Sequence, residues 1–324
     1  MTRPELDEFL ARARELSRRD ELDLAALEAL GELRSRGVDA LLLKGPVLAQ
    51  RLYAEGETRG YWDIDLLVSP RDLPAAEAAL RALRYRKGNE VLGIDDVGGV
   101  KHGEVWARQG ANHGGPIIID LHWRLSRCEA TGEVVWEALA RNRGAIELQG
   151  HSVAVPGQEG LALHLAIHAT QGGPEDTKAM ADLRRGIERW PLDAWRGAAR
   201  LAAEVHGEAP FAAGLRLIPE GAELAERLEL QPTPELDWEI RNRETRPRGT
   251  FHVEAWSSAR GVRAKLSVVR RSLFPTARWI RKQFPWADRR PWLIPVAYAR
   301  HILRGPLWAA RAMRFRRRAR RAGG

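Results

Sequence analysis

Apolar positions recur at helical spacing between Glu21 and Arg36, where Leu22, Leu24, Ala25, Leu27, Leu30 and Leu33 line up and Gly37 is placed to end the run. The next apolar stretch, Asp39 to Leu43, is short and continuous, which predicts a buried strand. Pro46, which has no amide hydrogen to waste, suits the first turn of a helix reaching about Tyr53. A turn-rich segment, Ala54 to Gly60, leads into a second strand over Trp62 to Val68, stopped by Ser69-Pro70. The pattern then predicts an amphipathic helix over Leu73–Leu83, a glycine-rich loop and hairpin between Val91 and Gln109, and a strand over Ile117–Trp123. Beyond residue 155 the alternating signal stops. Gln158–Ala169, Asp176–Trp190 and Leu192–His206 read as successive helices, with more helical pattern at Gly221–Leu230 and beyond Leu236.

This order predicts an α+β fold class with a small mixed sheet flanked by helices. We expect three parts: a sheet-containing domain over 1–155, a helical domain over 156–257 and a basic amphipathic segment over 258–324. A chain of 324 residues with 44% hydrophobic content is long and apolar enough for such cores.

Charge adds an asymmetry that hydropathy does not show. The net charge is +9, yet residues 259–324 hold 19 of the 52 Lys and Arg residues and a single acid, Asp288. The last fifth is therefore near +18 and the remainder near −9, which points to a separate surface role for the basic part. In that part Leu266, Val269, Leu273, Ile280, Trp286, Trp292, Ile294, Val296, Leu303, Leu307 and Trp308 interleave with arginines. An anionic membrane surface, RNA, or an acidic protein surface (including the rest of this chain) would each accept such a segment. The lone Cys128 excludes an intrachain disulfide and a cysteine zinc site, which fits a reducing compartment. The polar start lacks the apolar core of a signal peptide, and no apolar run approaches the roughly 18 residues of a membrane span. The expectation is a cytoplasmic protein, peripheral at most on the inner membrane face.

The chemistry concentrates on the second and third strands. Asp63 and Asp65 are two apart, so in an extended strand both carboxylates emerge on one face, roughly 7 Å apart. Adjacent carboxylates repel unless a cation lies between them, and magnesium or manganese accepts such oxygen ligands while leaving room for phosphate. Asp120 ends the third apolar run and is the candidate third ligand, with His122 beside it on the same face. Two ions held in this way can bracket the attacking and leaving oxygens of a displacement at phosphorus. Lys44 and Gly45 sit at the end of the first strand, where a close backbone approach and a helix start favour an anion. Lys44 and Arg59 are candidate ligands of a triphosphate.

Leu43-Lys44-Gly45, Leu52-Tyr53, Arg59 and Asp63-Ile64-Asp65-Leu66-Leu67-Val68 resemble a bacterial family of uncharacterised nucleotidyltransferases in the polymerase-β-type superfamily. Asp120-Leu121-His122-Trp123, the stretch Leu163–Ala169 and Asp182-Leu183 continue the resemblance to about residue 200. Some members occur beside peptide natural products such as lasso peptides. The resemblance implies a nucleotidyltransferase core that holds Mg2+ or Mn2+ through Asp63, Asp65 and Asp120, takes a nucleoside triphosphate, and modifies a peptide or small metabolite. No serine follows Gly45, which favours the alternative of a degenerate fold that binds a peptide without turnover. The basic segment favours a third reading, an RNA-modifying nucleotidyltransferase.

Other singled-out residues read as structural. His164 and His168 lie one helical turn apart without a third zinc ligand and suit helix packing. Asp182 is expected to cap a helix or pair with Arg185. Trp190, Trp195 and Trp238 suit helix packing.

Overall fold

The computed structural model describes residues 3–54, 56–88, 102–110, 115–247, 249–259 and 261–322. The loop expected to begin at Val91 lies outside these residues as far as Lys101. The chain divides into two compact units: one takes in the described residues up to Lys87 and from His102 to Pro232, the other Gly88 and the described residues from Thr233 onward.

The first unit is built on a five-stranded mixed sheet. Its elements run α1 (Arg3–Ser35), β1 (Ala40–Leu42), α2 (Pro46–Leu52), β2 (Ile64–Val68), α3 (Leu73–Ala82), β3 (Arg86–Lys87), β4 (Gly103–Gln109) and β5 (Pro116–His122). The spatial order is β1-β2-β5-β4-β3. β1 is antiparallel to β2, β2 is parallel to β5, and β4 is antiparallel to both β5 and β3. All five residues of β2 are buried, as expected of a strand covered on both faces, whereas β5 alternates, with Ile117, Ile119 and Leu121 fully inside. The expected elements are present with shifted ends. α1 begins at Arg3 rather than Glu21: Leu6, Phe9, Leu10, Ala13 and Leu16 continue the helical spacing toward the N-terminus.

The stretch before Pro156 also carries α4 (Gly132–Arg141) and a hairpin of β6 (Gly144–Leu148) and β7 (His151–Val155). α5 (Gln158–Gly172), α6 (Thr177–Arg189), α7 (Leu192–Glu204), α8 (Glu208–Leu215) and α9 (Pro219–Arg227) follow. The boundary expected at Pro156 is not a boundary of packing. One continuous apolar core includes Leu22, Leu66, Ile119, Val155, Leu163, Leu183, Trp195 and Phe211, so the helices after Pro156 share the core of the sheet. The strand signal stops there because the sheet is complete, while burial continues. Trp195 is central to the helical part, tilted against Trp190 at 6.0 Å and stacked on Phe211 at 6.5 Å between ring centroids.

The second unit is helical: α10 (Pro234–Arg241), α11 (Thr250–Ser258), α12 (Val262–Leu273), α13 (Ala277–Gln283), α14 (Pro285–Arg289) and α15 (Ile294–Ala322). It begins before residue 258, where the basic segment was expected to start, because α10 and α11 pack on α15. Its own small core is Ile280, Phe284, Ala287 and Ala297, and Trp238 meets Phe315 at 4.9 Å. Among the described residues, no helix is long and apolar enough to cross a membrane.

Candidate active site

The parallel pairing of β2 and β5 builds the site. In that register Asp65 lies opposite Asp120, and Leu66 opposite Leu121. Side chains directly across a ladder share a face, so the two carboxylates stand side by side. His122, two residues after Asp120, falls on the same face. Asp65, Asp120 and His122 each offer a ligand atom, and all three atoms lie within 4.8 Å of one another. This compact donor set differs from the expected one of Asp63, Asp65 and Asp120. Asp63 occupies the bend before β2, outside the strand's alternation, whereas His122 is locked into β5. A glycine makes that possible: a Cβ on Gly103, opposite His122 in β4, would stand 2.8 Å from the His122 Nδ1. His102 stacks on the same imidazole at 5.7 Å.

Asp65 is almost fully enclosed, with 1% of its surface exposed. Its Oδ1 accepts from Lys44 Nζ at 2.8 Å and lies 3.1 Å from His122 Nε2. Burial alone would push its proton affinity up, but the Lys44 ammonium and the His122 contact outweigh that and hold the carboxyl well below the usual carboxylate range. Asp120 has the opposite character. Burial, then the neighbouring Asp65 charge, raise its pKa to about 6, only partly offset by His122 and Lys44. Its Oδ1 is buried and has no hydrogen-bond partner among the described residues. Asp63 is half-buried and also raised, by burial and by Asp65. Burial and mutual repulsion thus disfavour the charged forms of Asp63 and Asp120, and the unpartnered Asp120 oxygen is free to serve as a ligand. Two carboxylates and an imidazole form a donor set that a divalent ion accepts, so the residues present fit the implied metal.

The turn over this cluster is fixed by backbone and by one buried ion pair. Leu43 donates its amide to the Asp65 carbonyl at 3.0 Å, which brings Lys44 to the site. Gly45 adopts φ 64° and ψ −114°, a conformation that side chains resist, with Tyr61 Cδ2 3.4 Å from where a Cβ would stand. Arg59, expected to meet a triphosphate, is instead buried. Its Nη2 donates to Asp182 Oδ2 at 2.6 Å, its Nε to Oδ1 at 2.9 Å, and its Nη1 to the Gly45 carbonyl at 3.3 Å. Tyr53 donates its hydroxyl to Asp182 Oδ1 at 2.8 Å. Asp182 thus pairs with Arg59 rather than with Arg185, which bonds Glu57 and covers the Tyr53 ring. The reason is reach: the guanidinium from the loop before β2 is planar and enclosed beside α6, while Arg185 faces outward.

One cation was not foreseen. Lys178, exposed in the first turn of α6, lies close enough to Asp63, Asp182, Arg59 and Lys44 to feel their charges, and makes no ion pair within 4 Å among the described residues. Burial and then Arg59 lower its pKa. A lysine in the first turn of a helix works against the helix dipole, and that mismatch is the sequence signal for it. His164 and His168 stack at 6.0 Å on α5, and burial drives the His168 pKa down to about 4 and that of His164 well below its usual value. His164 is buried and His168 half-buried, and the Nδ1 of each has no hydrogen-bond partner among the described residues.

The mixed sheet places two carboxylates and a histidine on adjacent strands close to a lysine-glycine turn, which puts the chain in the class of proteins with a clustered carboxylate–histidine donor site. Within that class, the chain belongs to the family described as uncharacterised nucleotidyltransferase, which it matches over residues 3–221. No curated protein matches it. Among solved structures it is similar to the antibiotic-resistance factor ANT(2'')-Ia in solution, with 16% identity, TM-score 0.37, and coverage of 54% of this chain and 86% of that one. A crystal structure of ANT(2")-Ia in complex with adenylyl-2"-tobramycin gives 18% identity, TM-score 0.39, and coverage of 56% and 97%. A nucleotidyltransferase-like protein from Paracoccidioides brasiliensis gives 13% identity, TM-score 0.38, and coverage of 66% and 94%. Likeness at this level transfers neither substrate nor site.

Proposed function

We propose that the first unit transfers a nucleotidyl group from a nucleoside triphosphate to a hydroxyl or phosphate acceptor, releasing pyrophosphate. The observation that carries this reading is the register match of Asp65 and Asp120, with His122 completing a donor set beside an unpartnered carboxylate oxygen. Asp65, Asp120 and His122 would hold a divalent cation, with Asp63 at the border of the cluster available to a second. When bound, such ions supply charge neutralisation for the triphosphate and acidify an attacking hydroxyl.

The chain's own residues account for the rest. Lys44 keeps Asp65 ionised and enclosed, so that one carboxylate is always ready as a ligand. Asp120 would take the proton of the incoming hydroxyl as the oxygen of that hydroxyl bonds the α-phosphorus and the bond to the pyrophosphate oxygen breaks. Lys178 is the exposed cation available to the departing phosphates, assisted by Lys44. Arg59 acts through Gly45 and Asp182, fixing the turn rather than touching substrate.

Magnesium-dependent binding of labelled triphosphates, followed by thermal shift, tests the reading. Wild type is expected to be stabilised by triphosphate only with metal, and Asp63→Ala with Asp65→Ala is expected to lose the response. The occupation of Asp65 by both Lys44 and His122 favours one rival, a degenerate fold that binds a peptide without turnover. Absence of any metal-dependent triphosphate shift in wild type would decide for that rival. Adducts on a peptide or small metabolite, as against total RNA, would identify the acceptor.

A further inference from the structure

We infer that the second unit docks on an anionic lipid surface through the outer face of α15. The face is defined by what it leaves uncovered. Ala297, His301, Ala312, Phe315 and Ala319 turn inward, and His301 bonds the Ser272 carbonyl at 2.8 Å. Val296, Leu303 and Leu307 fall on a separate stripe, since they recur at intervals of seven and four residues. They are 54%, 78% and 61% exposed, and Trp292, in the turn that leads into the helix, is 73% exposed. The apolar part of the stripe is about 16 Å long, from the helical rise.

Charge selects the partner. Arg300, Arg304 and Arg311, all exposed, lie within one turn of these apolar residues. The same stripe continues through Arg314, Arg318 and Arg321, also exposed. Exposed leucines would enter the acyl boundary while arginines along the helix meet lipid phosphates, and Trp292 would sit at the headgroup level. A second copy meeting it through this same face would bring arginine against arginine. RNA would gain little from the stripe, because valine and leucine cannot stack on bases. No described helix can span a bilayer, so the contact is one of lying on the surface.

Co-sedimentation of the full chain at physiological salt with phosphatidylcholine vesicles, with and without phosphatidylglycerol, tests this. Binding to the anionic vesicles is expected to be on the order of tenfold or more tighter than to neutral ones. Leu303→Ser with Leu307→Ser should weaken it by a similar factor while circular dichroism and the melting temperature stay unchanged. Arg300→Gln with Arg304→Gln should reduce the preference for anionic lipid. Three outcomes overturn the inference: no binding of wild type to anionic vesicles, equal binding of the leucine variant and wild type, or displacement by an RNA oligomer that binds the leucine variant equally well.

Discussion

In the unit that ends at Pro232, the cations nearest the core are matched one by one: Arg59 forks onto Asp182, and Lys44 closes on Asp65. In the unit that begins at Thr233, Arg300, Arg304, Arg311 and Arg314 stand in solvent beside exposed leucines. The same residue types therefore serve opposite ends. An enclosed charge holds its partner in one position, which chemistry requires; a solvated charge is free to meet whatever comes to the surface. Enclosed charge should be costly to remove and solvated charge almost free, and the following predictions test that contrast.

The largest effect is expected at Arg59→Ala. It strands Asp182 with only Tyr53 for company, and breaking a buried pair by removing one partner costs about 3–5 kcal/mol. Thermal denaturation should show it, and an unchanged midpoint would refute the bracing role. Asp120→Asn should reduce nucleotidyl transfer on the order of a hundredfold or more, because it removes both a ligand and a base. The same variant should melt no lower than wild type without metal, since an amide cannot carry the unfavourable charge. Gly45→Ala should cost about 1–3 kcal/mol, because alanine resists a φ of 64°. It should also weaken triphosphate binding by moving Lys44.

The pH dependence should be smaller but directional. The folded pKa of Asp120 is raised to about 6, so its contribution to stability is fully present below the ordinary value near 3.8 and is lost as pH rises through about 6. Asp65, depressed, works in reverse: its contribution is present above the ordinary value and is lost only in strong acid. Metal must displace the proton on Asp120, so magnesium affinity should fall by about tenfold per pH unit below 6. A flat magnesium titration between pH 5 and pH 7 would count against Asp120 as a ligand. At the far end of the scale, Arg304→Gln should change stability by less than about 0.5 kcal/mol. A larger loss would mean that the second unit relies on its arginines internally.

Part of the site is legible in the sequence. Alternation puts Asp120 and His122 on one face of β5, since a period of two is a local property of a strand, but it also pairs Asp63 with Asp65, and Asp63 falls in the bend before β2. The meeting of Asp65 with Asp120 and His122 was not local, because it depends on β2 pairing with β5 in parallel at one register. Arg59 was misread for the same reason: it lies close in sequence to the acidic strand, but its partner Asp182 arrives from a helix far along the chain. Lys178 escaped notice because α6 belongs to the part assigned to another domain. The end of the strands at Val155 looked like a domain boundary, yet packing does not end where a sheet does. The basic tail's composition announced a charged surface, while the stripe of Val296, Leu303 and Leu307 became visible only once the inward face of α15 was known.

The bare backbone of Gly103 beside the His122 ring has a genealogical consequence. Wherever a relative carries a bulkier residue at that position, the imidazole must swing aside or give way to a smaller side chain, so the two positions should change together across lineages. A survey of that single pair would sort descendants that kept the carboxylate–histidine cluster from those that abandoned it.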